Sequence, residues 1–502
     1  MRALLSAGVY LPRARLPRSS IAAAHAWFNP NLPKGGERAY AAWDEDSLTF
    51  AVEAVRACTS KPPPQDDGTP SHHAFGAIAF ASTTFPFADR SNAGLVAAAL
   101  GREGALQARD HGGSLRAGTS ALLAALQALA DPACPDTIVV ASDTRAAKPA
   151  SPQESVYGHG AAAFRVGRGD TNAAVLAEYL GGASVTVDFV DHHRSDGEAF
   201  DYTLEERWVR DEAWGKLLPG AVGPALAAAG ITAAAIDHCV VNASAAVHKK
   251  LAAQLGLREG VFVDTLGKTV GDTGTAHPLL LLAATLEKAA PGALLLLIGF
   301  GQGIDALVFR AGALAGSSGN GSAAGSFGAA LAAGHQEASY TRYLAHQGLL
   351  EMELGMRGER DNRTAQSVAW RKRRTVTALI GGRCRDCSTV QYPLTRACVN
   401  PDCRAFDTQE EFPLADSPAK VKTFTEDWLA YTPSPPLVYG NVAFAAGGNA
   451  FIEFTDATPG ETAVGQPVRF AFRLKDRDAL RGFHRYFWKA VPVPSHGHGA
   501  GT

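Results

Sequence analysis

Four of the seven cysteines fall within twenty residues, in the stretch GRCRDCSTVQYPLTRACVNPDC. Cys384 and Cys387 form a CxxC knuckle, and Cys398 and Cys403 follow after a loop containing Pro393. Four thiolates so close in sequence can close a tetrahedral site, and zinc in such a closed site is structural rather than catalytic. A redox CxxC is the alternative, but redox chemistry needs no second cysteine pair. The CxxxxC spacing of the second pair is longer than usual, and Asn400 and Pro401 supply the extra turn. Cys58, Cys134 and Cys239 stand alone. This pattern predicts a metal site in a reducing compartment, not a disulfide framework. The expectation is a cytoplasmic protein with structural zinc on Cys384, Cys387, Cys398 and Cys403.

At 502 residues the chain is too long for one ordinary core, so two or more domains are expected. A formal net charge of −2 gives no electrostatic reason to expect nucleic acid or an anionic membrane as partner. The one basic cluster, Arg371 to Arg374, reads as a solvated interdomain face. Its alternative is a patch that attracts the phosphates of a carrier such as coenzyme A. No apolar run reaches the roughly 20 residues that span a bilayer. The N-terminal MRALLSAGVYLPRARL has the look of a signal peptide, but Pro12 and the arginines after it interrupt the apolar run. It reads as a first strand and turn.

Over residues 1–310 strand-like and helix-like segments alternate. Asp46 caps the amphipathic run SLTFAVEAVRAC, and TSALLAALQALA, HKKLAAQLG and PLLLLAATLEKA are further helices. GAIAFAS, TIVVASD, GAAAFRVG, HCVVNAS, ALLLLIGF and IDALVFRAG are strands. Such alternation implies α/β architecture, a parallel sheet with helices on both faces. Residues 137–166 and 293–311 each read strand, loop, strand, the second pair joined by GFGQG, so two similar halves are expected. Residues 311–335 are rich in Gly, Ala and Ser and predict a flexible linker within a connecting region, 311–373. From Val376 short strands with Pro, Gly and Asp turns predict a small β-barrel extending to 492. The tail, 493–502, reads as disordered.

The stretches GGRCRDCSTVQYP, PLVYGNVAFAAGGNAFIEFTD and VGQPVRF resemble a bacterial and archaeal family of zinc-ribbon OB-fold proteins. The resemblance implies a rubredoxin-like zinc ribbon and an OB-fold barrel over 374–492, acting as an accessory to a thiolase-like partner. OB-folds elsewhere bind nucleic acid, which the near-neutral charge argues against here. Residues 1–310 resemble the hydroxymethylglutaryl-CoA synthase branch of the thiolase-like superfamily. GVYLPRARL, AYAAWDEDSLTFAVEAVRA, SLRAGTSALLAAL, SDTRAAKP, GHGAAAFRVG and GFGQGIDALVFR carry that resemblance, in this order. It implies a duplicated, five-layer αβαβα domain, a homodimer, and an active site between the halves that handles acyl thioesters of coenzyme A or a carrier protein.

In that family a cysteine at a buried helix N-terminus takes the acyl group, its thiol acidified by the helix dipole. The matching place here is HGGSLRAGTS, where Leu115 or, one residue away, Ser114 stands. Thr83 falls where the synthase glutamate is expected and Asn242 where its histidine is expected. A leucine cannot attack a thioester, and a serine needs a positioned base. VGDTGTAHPLLLLAATLEKA resembles the histidine-proline turn of thiolases, which makes His277 a candidate oxyanion donor, or alternatively a helix-start residue. Asp272 in the same loop, His111 before the GGS turn, and Tyr157, beside the weaker candidate His159, complete the candidate catalytic set. Thr83, Asn242, Gly301 and Gly303 are candidate substrate-binding positions. The ionisable segment DFVDHHRSDGEAFDY reads as an exposed loop.

A thioester pocket without a nucleophile can still stabilise an enolate. Thiolase-like proteins paired with this zinc-ribbon module include retro-aldolases. The resemblance therefore implies a lyase that cleaves or forms a carbon–carbon bond in a β-hydroxyacyl-CoA without an acyl-enzyme. A Claisen-type condensing enzyme and a non-catalytic acyl-CoA-binding scaffold are the other readings.

Overall fold

The computed structural model describes residues 1–60, 74–169, 174–316, 325–353, 355–358, 363 and 365–493. The expected tail lies outside these residues except for Val493, as does the middle of the Gly-, Ala- and Ser-rich stretch.

Nine strands form one mixed sheet. They are β1 (Arg2–Tyr10), β2 (Ala77–Ala81), β3 (Gln107–His111), β4 (Thr137–Asp143), β5 (Gly160–Arg168), β6 (Ala177–Thr186), β7 (His238–Val240), β8 (Leu294–Phe300) and β9 (Gly303–Ala311). Their spatial order is β7-β8-β9-β6-β1-β5-β4-β2-β3. The duplication expected from sequence is visible in that order. In the first half the opening strand β1 pairs with the closing strand β5, then come β4, β2 and β3. In the second half β6 pairs with the closing strand β9, then come β8 and β7. An isolated parallel bridge, Cys239 to Phe262, stands where a third-strand counterpart of β3 belongs. In the sheet the halves join where β1 pairs with β6, Ala3 with Glu178 and Leu4 with Ala177.

Six helices make three layers with the two half-sheets. Helix α1 (Ser47–Thr59) and α2 (Asn92–Ala99) cover the first half-sheet, and α4 (Leu218–Ala229) and α5 (Ala245–Leu255) cover the second. Between the half-sheets lie α3 (Ala117–Ala128) and α6 (His277–Leu286), packed on each other and on strands of both halves. Their apolar residues, among them Leu122, Leu126, Leu279, Leu280 and Leu282, form the central core with Phe164 and Phe309. Alternating helix and sheet layers therefore number five. Asp46 caps α1 as its position predicts, accepting from the Thr49 amide at 2.9 Å, with the Thr49 hydroxyl accepting from the Asp46 amide in return.

The connecting region is not loose where it is described. Phe327 is buried in the central core, residues His335–Gln336 pair with Ala14–Arg15, and Tyr343 on the helix Tyr340–His346 is buried against Leu16, Ile21 and Tyr40. Composition predicts a flexible linker over 311–335, but Phe327 fastens its described C-terminal part; the region after it contains the helix Tyr340–His346, anchored by Tyr343.

Beyond it, β10 (Ile380–Cys384), β11 (Val390–Gln391) and β12 (Gln409–Pro413) form a three-stranded sheet that carries the cysteines. Then β13 (Ala419–Asp427), β14 (Leu437–Phe444), β15 (Asn449–Glu453), β16 (Pro467–Asp478) and β17 (Phe483–Pro492) pair in the order β15-β14-β13-β16-β17. A parallel bridge from Phe454, just after β15, to Ala490 in β17 joins the two edges, so the five strands close into a ring. One wall of this ring covers α1. Phe470, Phe472 and Trp488 share a core with Phe50, Val52 and Val55. No described helix is long and apolar enough to cross a membrane.

Candidate active site

The two halves meet at the N-terminal end of α3, and a cleft of about 630 Å³ opens there. Its walls come from the end of β2 (Ser82, Thr83), the loop before α3 (Gly112 to Leu115), the turn after β8 (Gly301, Gln302), the loop with Phe85 and Phe87, and residues 191–197. Arg145 and Asp201 also line it.

Asp143, at the end of β4 and fully buried, organises one wall. Its carboxylate accepts from the Ser82 hydroxyl at 2.9 Å, the Thr83 amide at 2.7 Å, the hydroxyls of Thr83 and Thr84 at 3.0 Å, and the Thr275 amide at 2.7 Å. It thus ties the first half to the turn that begins α6. Thr83 is held by this carboxylate at both its amide and its hydroxyl. Beside it, Arg145 donates to Asp201 at 2.7 Å and to the Tyr157 hydroxyl at 2.6 Å, and Tyr157 donates to Asp201 at 2.9 Å. Asp272 lies 3.9 Å from Arg145. Burial alone raises the Asp201 carboxyl, but the Arg145 charge and the hydrogen bonds from Arg145 and Tyr157 hold it below its usual value.

The structure gathers three of the expected residues in the cleft: Ser114, Thr83 and Gly301. Ser114 donates from its hydroxyl to the Gly301 carbonyl at 2.6 Å, which ties the head of α3 to the second half. Among the described residues that line the cleft none is a cysteine. Tyr157 touches the cleft's lining through Arg145 and Asp201, and Asp272 through Arg145.

Five expected residues lie elsewhere. His277 does not face the cleft: it is 1% exposed, its Nδ1 accepts from the Thr273 amide at 3.2 Å, and its Nε2 lies 3.1 Å from the Thr265 carbonyl. With both ring nitrogens engaged by backbone, it has no donor left for a thioester oxygen. His111 sits at the end of edge strand β3 and lines a separate depression with Arg109 and Ala121, where burial and then Arg109 lower its pKa. Asn242, just after β7, is not among the cleft residues, and neither is Gly303. Gly303 serves a close approach instead, since its φ is +129° and an added Cβ would lie 2.1 Å from the Val185 carbonyl oxygen. His159, the weaker candidate, is fully buried between the Ala41 amide at 2.9 Å and the Arg145 carbonyl at 3.1 Å.

The ionisable segment is exposed over residues 193–199, as an exposed loop or cap should be, and it also forms one wall of the cleft. His192–His193 pairs with Tyr202–Thr203 in a short hairpin, and the Leu204 amide donates to the Asp191 carbonyl at 2.9 Å. Arg194 donates to the Thr83 carbonyl and lies 3.4 Å from Asp201. Asp191, His192, Arg194 and Asp201 thus join the site. Their one sequence signal is the density of ionisable groups, which solvated loops share.

The cysteine cluster lies elsewhere, on β10 and the loops beyond it. The sulfurs of Cys384, Cys387, Cys398 and Cys403 all lie within 4.8 Å of one another, with Cys384 to Cys403 at 3.8 Å and Cys387 to Cys398 at 3.5 Å. Disulfides of about 2.05 Å are excluded at such distances. A tetrahedron with metal–sulfur bonds of about 2.3 Å has edges near 3.8 Å, so the four thiols fit a zinc ion. The Asn400 carbonyl accepts from the Cys403 and Arg404 amides, which makes the extra turn.

Comparison with known proteins agrees with this architecture. Residues 226–310 match the family model of 3-oxoacyl-[acyl-carrier-protein (ACP)] synthase III, C terminal. The chain is 27% identical over 306 residues to a hydroxymethylglutaryl-CoA synthase of Pyrococcus horikoshii, covering 60% of this chain and 83% of that protein. It is 28% identical over 309 residues to the synthase of Methanopyrus kandleri, covering 60% and 85%. Among solved structures it resembles MvaS in complex with 3-hydroxy-3-methylglutaryl coenzyme A, with a TM-score of 0.55, 18% identity, and 70% and 92% coverage. It also resembles 3-oxoacyl-(acyl carrier protein) synthase III from Pseudomonas aeruginosa, with a TM-score of 0.52, 22% identity, and 62% and 98% coverage.

Proposed function

We propose that this chain, which has the thiolase-like α/β fold, is a carbon–carbon lyase that splits a β-hydroxyacyl-CoA into a carbonyl compound and a shorter acyl-CoA. The similarity to hydroxymethylglutaryl-CoA synthases supports an enzyme of acyl-CoA carbon–carbon chemistry. One observation carries the lyase reading. At the head of α3 the cleft presents Ser114 and Leu115, no cysteine lines it among the described residues, and the Ser114 hydroxyl is committed to the Gly301 carbonyl. Acyl transfer through a covalent thioester has no nucleophile there. For enolate chemistry the N-terminal end of α3 borders the cleft and supplies partial positive charge, while Arg145 and Arg194 line it paired with Asp201.

On this reading residues 1–310 are the catalytic part and work as a homodimer. Residues 374–492 are a zinc ribbon followed by an OB-fold barrel that buttresses α1. The ring closure between β15 and β17 supports the barrel, and the four clustered thiols support zinc, which would stabilise the fold and take no part in the reaction. A Claisen-type condensing enzyme is the second reading, favoured by the likeness to the two synthase types. Incubating the protein with a panel of β-hydroxyacyl-CoAs, and measuring released aldehyde or ketone beside the shorter acyl-CoA, tests the proposal. Release of free coenzyme A and a condensed product would favour the second reading.

A further inference from the structure

A retro-aldol step needs a group that removes the β-hydroxyl proton, and most ionisable side chains near the cleft are already committed. The Asp143 carboxylate accepts from five donors. Tyr157 is buried, donates to Asp201 and accepts from Arg145, and burial above all raises its pKa. His277 and His159 spend both ring nitrogens on backbone groups. Asp110 caps α2 through the Asn92 and Ala93 amides.

His192 differs. Its Nδ1 lies 2.9 Å from the Asp191 carboxylate, which fixes the proton on that nitrogen. Among the described residues its Nε2 has no hydrogen-bond partner. The side chains of both residues are still 18% and 17% exposed, and both line the cleft that the head of α3 borders. The short hairpin with Tyr202–Thr203 holds the pair in place. The second oxygen of Asp191 is buried without a partner, so the histidine is the one group this carboxylate serves among the described residues.

We propose that His192, positioned by Asp191, is the proton-transfer residue of this cleft, acting on the β-hydroxyl and the α-carbon of an acyl-CoA. This rests on the cleavage chemistry proposed above. Nε2 takes the hydroxyl proton, and the O–H electron pair becomes the new carbonyl π bond. The Cα–Cβ bond breaks and its electrons form the thioester enolate. The imidazolium returns the same proton to Cα, so acyl-CoA and carbonyl compound leave and His192 is neutral again. No oxidant, reductant or further reactant enters. The Asp191 and Asp201 carboxylates face the imidazolium, and Arg194 and Arg145 balance them across the cleft.

The return step run backwards is removal of an α-proton from acyl-CoA, which gives a direct test. The full-length protein is incubated with acetyl-CoA in deuterium oxide, and deuterium at the methyl group is followed by mass spectrometry. The expected result is exchange by the unaltered protein and exchange about 10²–10⁴-fold slower in His192→Ala. His192→Gln, which keeps the side chain's bulk, should be equally slow, and added imidazole should restore part of the rate to the alanine variant. Asp191→Asn should slow exchange less than His192→Ala and shift the midpoint of its pH–rate profile. Absence of exchange in the unaltered protein, or an undiminished rate in both His192 variants, would overturn the assignment. Exchange that depends on His192 without cleavage of any β-hydroxyacyl-CoA would keep it and sink the lyase reading. Normal cleavage by His192→Ala would do the reverse.

Discussion

At the scale of single residues, hydrogen-bond partners decide which histidines can act. His277 bridges the Thr273 amide and the Thr265 carbonyl inside the protein. His277→Ala leaves both groups unpaired, so it should destabilise the fold by about 1–3 kcal/mol, as read by denaturant unfolding. Any folded fraction should keep its turnover. His159 makes a second case. Burial first, and Arg38 next, hold its pKa down to about 3, against 6.5 for a free histidine. Between these values the unfolded chain binds the extra proton. The stability His159 confers is therefore complete above about pH 6.5 and is lost as pH falls towards about 3, at about 1.4 kcal/mol per pH unit. Replacing it in His159→Gln should flatten the acid limb of the stability profile by about that slope. Ser114, Thr83 and Gly301 were legible in the sequence because each sits at the end of a strongly patterned strand or helix. His192 was not, because a run of charged residues in a loop looks the same whether solvent or a cleft faces it.

At the scale of elements, periodicity and caps carried the reading. The run from Ser47 to Thr59 shows a helical period after a capping Asp46, and α1 follows it. The strand pairs β4–β5 and β8–β9 were visible as strand, loop, strand. In the Gly-, Ala- and Ser-rich stretch 311–335 composition predicts flexibility, but Phe327 is buried; residues 317–324 lie outside the described residues. Gly303 gives a prediction at this level. It starts β9 at a positive φ, where β6 comes so close that a Cβ would meet the Val185 carbonyl. Gly303→Ala should cost more than about 1 kcal/mol. The loss should appear as a lower thermal midpoint and, through Ser114 and the neighbouring Gly301, as weaker acyl-CoA binding.

At the scale of the whole molecule, a buried ionic seam joins the five-stranded C-terminal sheet to the first 60 residues. Arg473 on β16 is fully buried and donates to the Tyr10 hydroxyl at 2.8 Å, with Glu45 at 3.1 Å and Asp456 at 3.3 Å. Lys489 meets Asp44 at 2.9 Å, and the Tyr486 hydroxyl donates to Asp46 at 2.6 Å. This seam is invisible in the sequence, since Tyr10, Glu45, Asp44 and Asp46 lie more than 400 residues from the Arg473, Lys489 and Tyr486 they meet. Arg473→Met strands buried carboxylates and should cost about 3–5 kcal/mol in denaturant unfolding of the full chain. If the four clustered thiols hold zinc as proposed, metal analysis should find one zinc per chain, and a chelator should lower the melting temperature, because metal binding and local folding are coupled. The central claim is that this thiolase-like cleft works on carbon–carbon bonds without a covalent acyl-enzyme. Intact-protein mass spectrometry, during turnover of a β-hydroxyacyl-CoA, tests it most directly. The expected result is the unmodified protein mass while the shorter acyl-CoA accumulates. An added acyl mass mapped to Ser114 would contradict it.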